Sequence, residues 1–386
     1  MKFSSFSIGQ VWKELRKFDS LTEDESSIVF YAENKASMNH FKTLIHELTE
    51  KLHLNICYVT SVKDDLIFSD NNPRIKSFYI GDGAARTKFF LTLKAKILIM
   101  DMPDLEQFHI KRSKVYPVHY IYIFHSMFSI HSYLRKGALD NYDTIFCVGP
   151  HHINEIRETE KLYRLTPKKL VSYGFGRLDT LLKEKNQNSI ERHNENLILI
   201  TPSYGENNLL VECGIELIDS LLKNNFKVLL RPHFRIFHDS PKLIESIKEK
   251  FGSNANFIFE NGIIPPKAFH SSICMISDWS RISLEYAFTF ERPVIFIDVP
   301  KKILNPNFSD ICLEPIEVSI RNELGFVIPT KDISKIPTII KNSCTKNVDI
   351  QEKIQLLREK IVFNVGKSAI IGAKYIDELN HELSSS

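Results

Sequence analysis

The sequence lacks a long hydrophobic run: none of its 386 residues fall in a stretch near the roughly 20 apolar positions that a bilayer-spanning helix needs. The start, Met1-Lys2-Phe3-Ser4-Ser5-Phe6, has no secretory hydrophobic region. Cysteine is sparse. Six residues (Cys57, Cys147, Cys213, Cys274, Cys312 and Cys344) never fall in a Cys-x-x-Cys spacing, which argues against a zinc site. Several lie inside apolar strand patterns, where a thiol behaves as a small hydrophobe. Reduced, structural cysteines and a cytosolic setting are expected. An excess of one charge is missing too: 50 Lys+Arg against 47 Asp+Glu leave a formal +3. A dedicated nucleic-acid binder is normally far more basic, so no nucleic-acid partner is expected. The dinucleotide loop GxGxxG, the P-loop GxxxxGK[ST] and the nucleophile elbow GxSxG are all absent.

What is present is an ordinary globular composition, 43% hydrophobic and 25% charged, in a chain long enough for two α/β domains. Residues Val11 to Phe18 set Val11, Leu15 and Phe18 against Lys13, Arg16 and Lys17. Such a helix either lies on an anionic membrane or packs on its own domain, and the second reading is favoured. From Ser27 the chain alternates strand and helix. Strands are expected at 27–32, 54–59, 78–80, 97–100, 120–124, 144–148 and 171–173, and Ser37 is expected to cap a helix through Phe41, Leu44, Ile45 and Leu48. Continuous apolar strands separated by helices imply a parallel sheet covered on both faces.

The polar stretch from Lys183 to Asn196 interrupts this order and reads as a linker. The alternation then restarts, with strands at 197–200, 227–230, 256–259, 272–276 and 293–298, and it closes with helices around 350–361 and 368–383. The expected organisation is an N-terminal Rossmann-like domain over 1–185, a linker over 186–196 and a C-terminal Rossmann-like domain over 197–386. The last helix is placed to pack back on the N-terminal domain. Open α/β sheets bind ligands at the carboxyl ends of their strands, so two such domains would face each other across a cleft.

Polar residues at those strand ends are the candidates for chemistry. His125 follows the strand 120–124; with an ordinary pKa of about 6.5, an imidazole there can accept a hydroxyl proton at neutral pH. Arg231-Pro232-His233-Phe234-Arg235 follows the strand 227–230 and gathers guanidinium and imidazole donors suited to phosphate oxygens. Ser277, Asp278, Ser280 and Arg281 lie between the strand 272–276 and a helical pattern at Ile282, Tyr286 and Phe290. Ser277, Asp278 and Ser280 are good N-cap types, and a helix N-terminus can hold a diphosphate. An ordinary capped helix would show the same residues. Pro202, Ser203, Tyr204 and Gly205 follow the first strand of the second half and could wrap a ligand. Gly174-Phe175-Gly176-Arg177-Leu178-Asp179 precedes the linker, and its Gly176 and Arg177 are candidates for a hinge or cleft position. His151-His152 sits at a helix start, without partners at metal-ligand spacing.

Taken in order, these segments resemble the CDP-glycerol glycerophosphotransferase family, which builds teichoic-acid-type polyol-phosphate chains on the GT-B architecture. The resemblance runs from about Met100 to Asp298. It rests on Phe124-His125-Ser126, Phe146 to His152, Gly174 to Asp179, Leu230 to His233, and Ser277 to Ser280 followed by Glu291 to Phe296. It implies a catalytic base at His125, which here precedes Ser126-Met127 where the family has Gly-Thr. Pro232-His233-Phe234 stands where the family has Pro-His-Pro, and Ser277-Asp278-Trp279-Ser280-Arg281 where it has Thr/Ser-Asp-Tyr-Ser-Ser.

The implied reaction is displacement at phosphorus. An acceptor hydroxyl on a cell-surface glycan or lipid-linked acceptor attacks the β-phosphate of CDP-glycerol, and CMP leaves. His233, Arg231 and the turn around Ser280 would hold the diphosphate and stabilise charge as it passes to CMP, which makes His233 catalytic beside His125, and the two imidazoles would meet across the cleft. No tightly bound cofactor is implied; Mg2+ could accompany the nucleotide. The setting would be the cytoplasmic face of the cell membrane, with peripheral contact through His109-Ile110-Lys111-Arg112-Ser113-Lys114. The competing readings are a GT-B nucleotide-sugar glycosyltransferase and a non-catalytic binding protein on the same frame.

Overall fold

The structure is a computed structural model that describes residues 8–187, 196–262, 266–344 and 348–385. Met1 to Phe6 and residues 188–195 of the expected linker lie outside the described residues. The chain divides into two compact units: Met1–Thr180 with Leu304–Cys312 and Ile361–Ser386, and Leu181–Ile303 with Leu313–Lys360.

The first unit holds a seven-stranded sheet of β1 (Ile28–Ala32), β2 (Ile56–Thr60), β3 (Ile75–Tyr79), β4 (Ile97–Met100), β5 (His119–Ile123), β6 (Thr144–Cys147) and β7 (Lys169–Ser172). Its order is β3-β2-β1-β4-β5-β6-β7, and every pairing is parallel. Apolar side chains on both faces of strands such as Ile-Val-Phe-Tyr-Ala demand cover on both sides, and β1, β2 and β4 are buried along their whole length. The helix Ile8–Asp19 packs on this unit, as favoured: Phe18 is buried, its ring 5.5 Å from Phe78 and 5.1 Å from Phe89.

The helix Ser368–Ser385 adds Ala373, Ile376 and Leu379 to the same core. Asp179 seats its start by accepting from the backbone N–H of Gly366 at 2.7 Å and of Ser368 at 2.9 Å. Residues 304–312 also belong here, unlike the single cut expected at 197. The reason is local: Leu304 N–H donates to the Ser132 carbonyl, Asn305 Nδ2 donates to the His131 carbonyl, and Phe308 stacks on the His131 ring at 5.2 Å.

The second unit holds β8 (Leu197–Thr201), β9 (Lys227–Leu230), β10 (Phe257–Phe259), β11 (Ser272–Ser277), β12 (Val294–Asp298) and β13 (Gly325–Pro329). The order is β10-β9-β8-β11-β12-β13, again wholly parallel. Strand β13 is not among the expected elements. It is a half-buried edge strand bounded by Gly325 and Pro329, too short an apolar run to declare itself. Gly325 is required there, since a Cβ would stand 2.1 Å from the Val294 carbonyl oxygen.

Candidate functional site

In the first unit the strand order reverses between β1 and β4. Ligands of open α/β sheets bind at such a switch point. A hollow of ≈ 380 Å³ opens there, lined by Glu33, Asn34, His40, Asp101, Met102, Phe108, His109 and His125 among others. His125 is half-buried, its ring 6.2 Å from that of His40 and 6.0 Å from that of Tyr133. Asp101 is buried and accepts from Ser37 Oγ at 3.0 Å. Burial pushes its carboxyl up to about 6, against the pull of the Ser37 hydroxyl. The Ser37 hydroxyl therefore serves Asp101 and makes no cap bond to the helix Met38–His46, contrary to expectation. Sequence reading missed Glu33, His40 and Asp101; the signal available was the polar residue directly after each of β1 and β4.

The segment after His125 is braced from one helix start. His151 Nε2 bonds the Met127 carbonyl at 2.9 Å and His152 Nε2 bonds the Phe128 carbonyl at 3.0 Å. A carbonyl only accepts, so both Nε2 atoms carry the proton. Burial holds the His151 imidazole below its ordinary value and that of His152 well below. Glu155, one turn on, accepts from the backbone N–H of Ile130 at 2.5 Å and of His131 at 3.2 Å, and its carboxylate lies 3.1 Å from His131 Nδ1. These groups fix the path of residues 126–131. The close approach of the 149 turn to Ile361 also dictates glycine: a Cβ on Gly149 would lie 1.7 Å from the Ile361 carbonyl oxygen.

In the second unit the order reverses between β8 and β11, and their last residues, Thr201 and Ser277, are paired partners. Ser277 Oγ donates to the Thr201 carbonyl at 2.7 Å. The next residue, Asp278, is buried at 1% exposure. Its Oδ1 accepts from the backbone N–H of Ser203 and of Trp279, both at 2.7 Å, and its Oδ2 accepts from that of Leu209 at 2.9 Å. Burial still pushes this carboxyl above its ordinary value.

Ser277 and Asp278 are thus spent on clamping the two strand-end loops together. They do not cap the following helix, Ile282–Phe290, which is flanked by Arg281 in helical conformation with no side-chain cap. Asp278 instead helps Asn208 close the start of the helix Leu209–Lys223. Trp279 is fixed as well: its Nε1 donates to the Val299 carbonyl at 3.2 Å, and the Arg321 guanidinium lies 4.0 Å from its ring centre. The clamp leaves Ser280 and Arg281 half-buried at the loop tip.

Around this clamp the basic residues gather. The His233 ring is half-buried, with its centre 4.5 Å from that of Tyr204. Arg235 Cζ lies 4.6 Å and Lys302 Nζ 2.9 Å from the centre of the same tyrosine ring. Burial first, then the charges of Lys302, Arg231, Arg235 and Arg281, hold the His233 imidazole down at about 4. Its Nδ1 accepts from the Arg235 backbone N–H at 3.3 Å, so the neutral ring carries its proton on Nε2. In this arrangement His233 is a neutral N–H donor. Burial and the neighbouring Arg281 and Arg235 also lower the Lys302 amine to about 8. Lys302 was missed because it lies on the loop after β12, four residues beyond Asp298, with no motif around it.

The strand-end loops after β8, β9 and β11 therefore carry Pro202, Ser203, Tyr204, Gly205, Arg231, His233, Arg235, Ser280 and Arg281 together, and His233 senses the charges of Arg231, Arg235 and Arg281 directly. Gly176 and Arg177 belong to the first unit. Gly176 opens the helix Gly176–Gln187, where a Cβ would stand 2.7 Å from Thr43 Oγ1, so its bareness is used for packing. The basic stretch 109–114 also turns inward in part. Arg112 donates to the Asn141 and Val118 carbonyls at 2.7 and 3.0 Å and pairs with Asp143 at 3.0 Å, and Lys111 donates to the Glu106 carbonyl. Among the described residues no group of three or more His, Cys, Asp or Glu could hold a metal ion, and no helix is long and apolar enough to cross a membrane.

Over nearly its whole length the chain resembles solved structures of GT-B type. The wall teichoic acid polymerase TagF superposes with a TM-score of 0.62 at 16% identity, covering 97% of this chain and 95% of that one. A TagF variant soaked with CDPG gives 0.61 at 15% identity, covering 98% and 96%. The UDP-GlcNAc 2-epimerase from Neisseria meningitidis, bound to UDP-GlcNAc, gives 0.59 at 13% identity, covering 91% and 100%. At these identities the likeness is one of fold, and the fold is the α/β architecture of the GT-B class. No curated protein matches the chain. Residues 15–301 match the family described as CDP-Glycerol:Poly(glycerophosphate) glycerophosphotransferase, and the chain belongs to that family. It is accordingly an enzyme of the CDP-glycerol glycerophosphotransferase kind.

Proposed function

We propose that the second unit binds the diphosphate of CDP-glycerol at the ends of β8, β9 and β11, and that the first unit holds the acceptor at the hollow containing His125. The observation that carries this reading is the convergence of Arg231, His233, Arg235, Arg281 and Lys302 on one strand-end cluster in a chain of this family. Guanidinium and ammonium groups gathered around a half-buried imidazole, whose proton affinity burial and then their charges lower, are poised for a polyanion. The acceptor is a hydroxyl of a cell-surface glycan or a lipid-linked chain, which Glu33, Asp101 and the imidazoles of the hollow suit by hydrogen bonding.

His125 removes the acceptor proton. The hydroxyl oxygen bonds to the β-phosphorus, the bond from that phosphorus to the bridging oxygen breaks, and CMP departs with the electron pair. The cationic cluster stabilises the charge that moves onto CMP. Mg2+ would come with the nucleotide, not from a resident protein site. The enzyme works at the cytoplasmic face of the membrane, touching it peripherally while the acceptor stays lipid-linked.

The test is CMP release from CDP-glycerol in the presence of a polyol-phosphate acceptor. Release that requires the acceptor and is lost in His125→Ala and in His233→Ala supports the reading. Turnover of a UDP-sugar with none of CDP-glycerol would overturn it in favour of glycosyl transfer.

A further inference from the structure

Phe234 is the most exposed of the Phe, Tyr and Trp side chains among the described residues, at 72%. It sits in the middle of the basic loop, between His233 and Arg235. Its ring is not stray. It lies 4.5 Å from the His233 ring at an interplanar angle of 31°, and His233 in turn lies 4.5 Å from Tyr204 at 36°. Three rings thus form a tilted series that runs from the half-buried Tyr204, flanked by Lys302 and Arg235, to the exposed Phe234.

This exposed ring stands directly beside the cationic cluster read as the diphosphate site. The chemistry that joins a flat π-surface to a diphosphate in one ligand is that of a nucleotide. We propose that Phe234 is the stacking platform for the pyrimidine base of the donor nucleotide, with the base continuing the Tyr204–His233–Phe234 series. This rests on the reading of the second unit as the CDP-glycerol site and goes beyond it by naming where the base lies.

The form of recognition has a consequence. Stacking on a phenyl ring is tolerant of base identity, because every base has a π-face. Phe234 therefore contributes affinity for any pyrimidine nucleoside diphosphate and does not choose cytosine over uracil. Choice must come from hydrogen-bonding groups elsewhere.

The experiment is calorimetric titration of the full chain and of Phe234→Ala and Phe234→Trp with CDP, UDP and inorganic pyrophosphate at fixed pH and salt. Phe234→Ala is expected to weaken CDP about 5- to 100-fold, the range set by losing one base–aromatic stack. UDP should lose by the same factor, pyrophosphate should be unchanged, and Phe234→Trp should restore CDP. Equal CDP affinity in Phe234→Ala and the unaltered chain overturns the platform while leaving the diphosphate site standing. A parallel loss of pyrophosphate also overturns it, because the ring would then be shaping the cationic loop. An unaltered chain that binds neither CDP nor pyrophosphate removes the platform together with the functional reading beneath it.

Discussion

The six strands of the second sheet repeat the order of β1 to β6 in the first, yet the two switch points carry different chemistry. In the first unit the ends of β1, β4 and β5 present Glu33, Asp101 and His125, and the hollow they line adds Asp104, His40 and His109. In the second unit the equivalent ends of β8, β11 and β12 present Tyr204, Arg281 and Lys302, joined by Arg231, His233 and Arg235 from the neighbouring β9. In the second site Asp278 is occupied by three backbone N–H groups, and Asp239 also acts on Lys302. The same backbone plan thus places carboxylates and imidazoles at one switch point, where Glu33 and Asp104 pair with Arg86 and Arg135, and a cluster of cations at the other. Topology fixes where a site can form, and the first few residues past each strand decide what it does.

If that division is right, variants in the two units should fail in different measurements. The largest effect belongs to His125→Ala. Removing a general base costs roughly 10²- to 10⁴-fold in turnover, so CMP release should fall by that factor while the affinity for CDP stays within about twofold. Arg231→Ala should show the opposite emphasis, with CDP affinity falling about tenfold or more, as expected for a charge-assisted bond worth some 1.5–3 kcal/mol. Single-turnover kinetics and calorimetry separate the two. Equal losses of affinity in both variants would break the comparison at its root.

A smaller effect contrasts the two buried aspartates. Asp278→Ala leaves the backbone N–H groups of Ser203, Leu209 and Trp279 without their acceptor, and orphaned buried donors cost about 1–3 kcal/mol each before relaxation. A net destabilisation of about 3 kcal/mol is expected, confined to the second unit. Asp101→Asn keeps its shape and its bond from Ser37, and should cost under about 1 kcal/mol. The chain's two tryptophans, Trp12 and Trp279, lie in different units, so a Trp12→Phe background makes indole fluorescence in urea a reporter on the second unit. A midpoint unchanged by Asp278→Ala would mean that the clamp is dispensable.

How much of this was legible in the sequence follows the same physics. Twelve of the strands were legible, the central ones as continuous apolar runs because a parallel strand is buried on both faces; β13 was not, although the other edge strands β3, β7 and β10 are also only partly buried. The placement of His125 and of the Arg231–Arg235 loop was readable because a strand end in a parallel sheet points at the switch region. Polar types were not enough to assign roles, however. Ser277 and Asp278 look like caps and phosphate ligands, and only the partners of Asp278 reveal a clamp across two loops distant in sequence. Lys302 was invisible for the converse reason: it is a single residue whose importance comes entirely from neighbours that the fold supplies. His151 and His152 had no readable purpose until Met127 and Phe128 were found bonded to them.

The smallest predicted effect sharpens the comparison through pH. In the free second site His233 is held at about 4 and Lys302 at about 8, each lowered first by burial and then by surrounding cations. A bound diphosphate sets negative charge among those cations, so both groups must gain proton affinity on binding. Wherever the pH lies between the free and bound values of a group, binding takes up a proton, and affinity then rises as pH falls. CDP-glycerol is a suitable probe because neither of its phosphates titrates near neutrality, and a His125→Ala background removes its turnover. Its dissociation constant should tighten several-fold from pH 9 to pH 6, with Lys302 responsible for the upper limb and His233 for the lower. Lys302→Met should flatten the first limb and His233→Gln the second. Calorimetry in buffers of different ionisation enthalpy counts the protons directly. The first unit provides the control, since Asp101→Asn removes the titrating carboxyl of the other hollow and should leave this profile unmoved. A binding profile that follows Asp101 instead would assign the donor to the acidic site and reverse the division of labour.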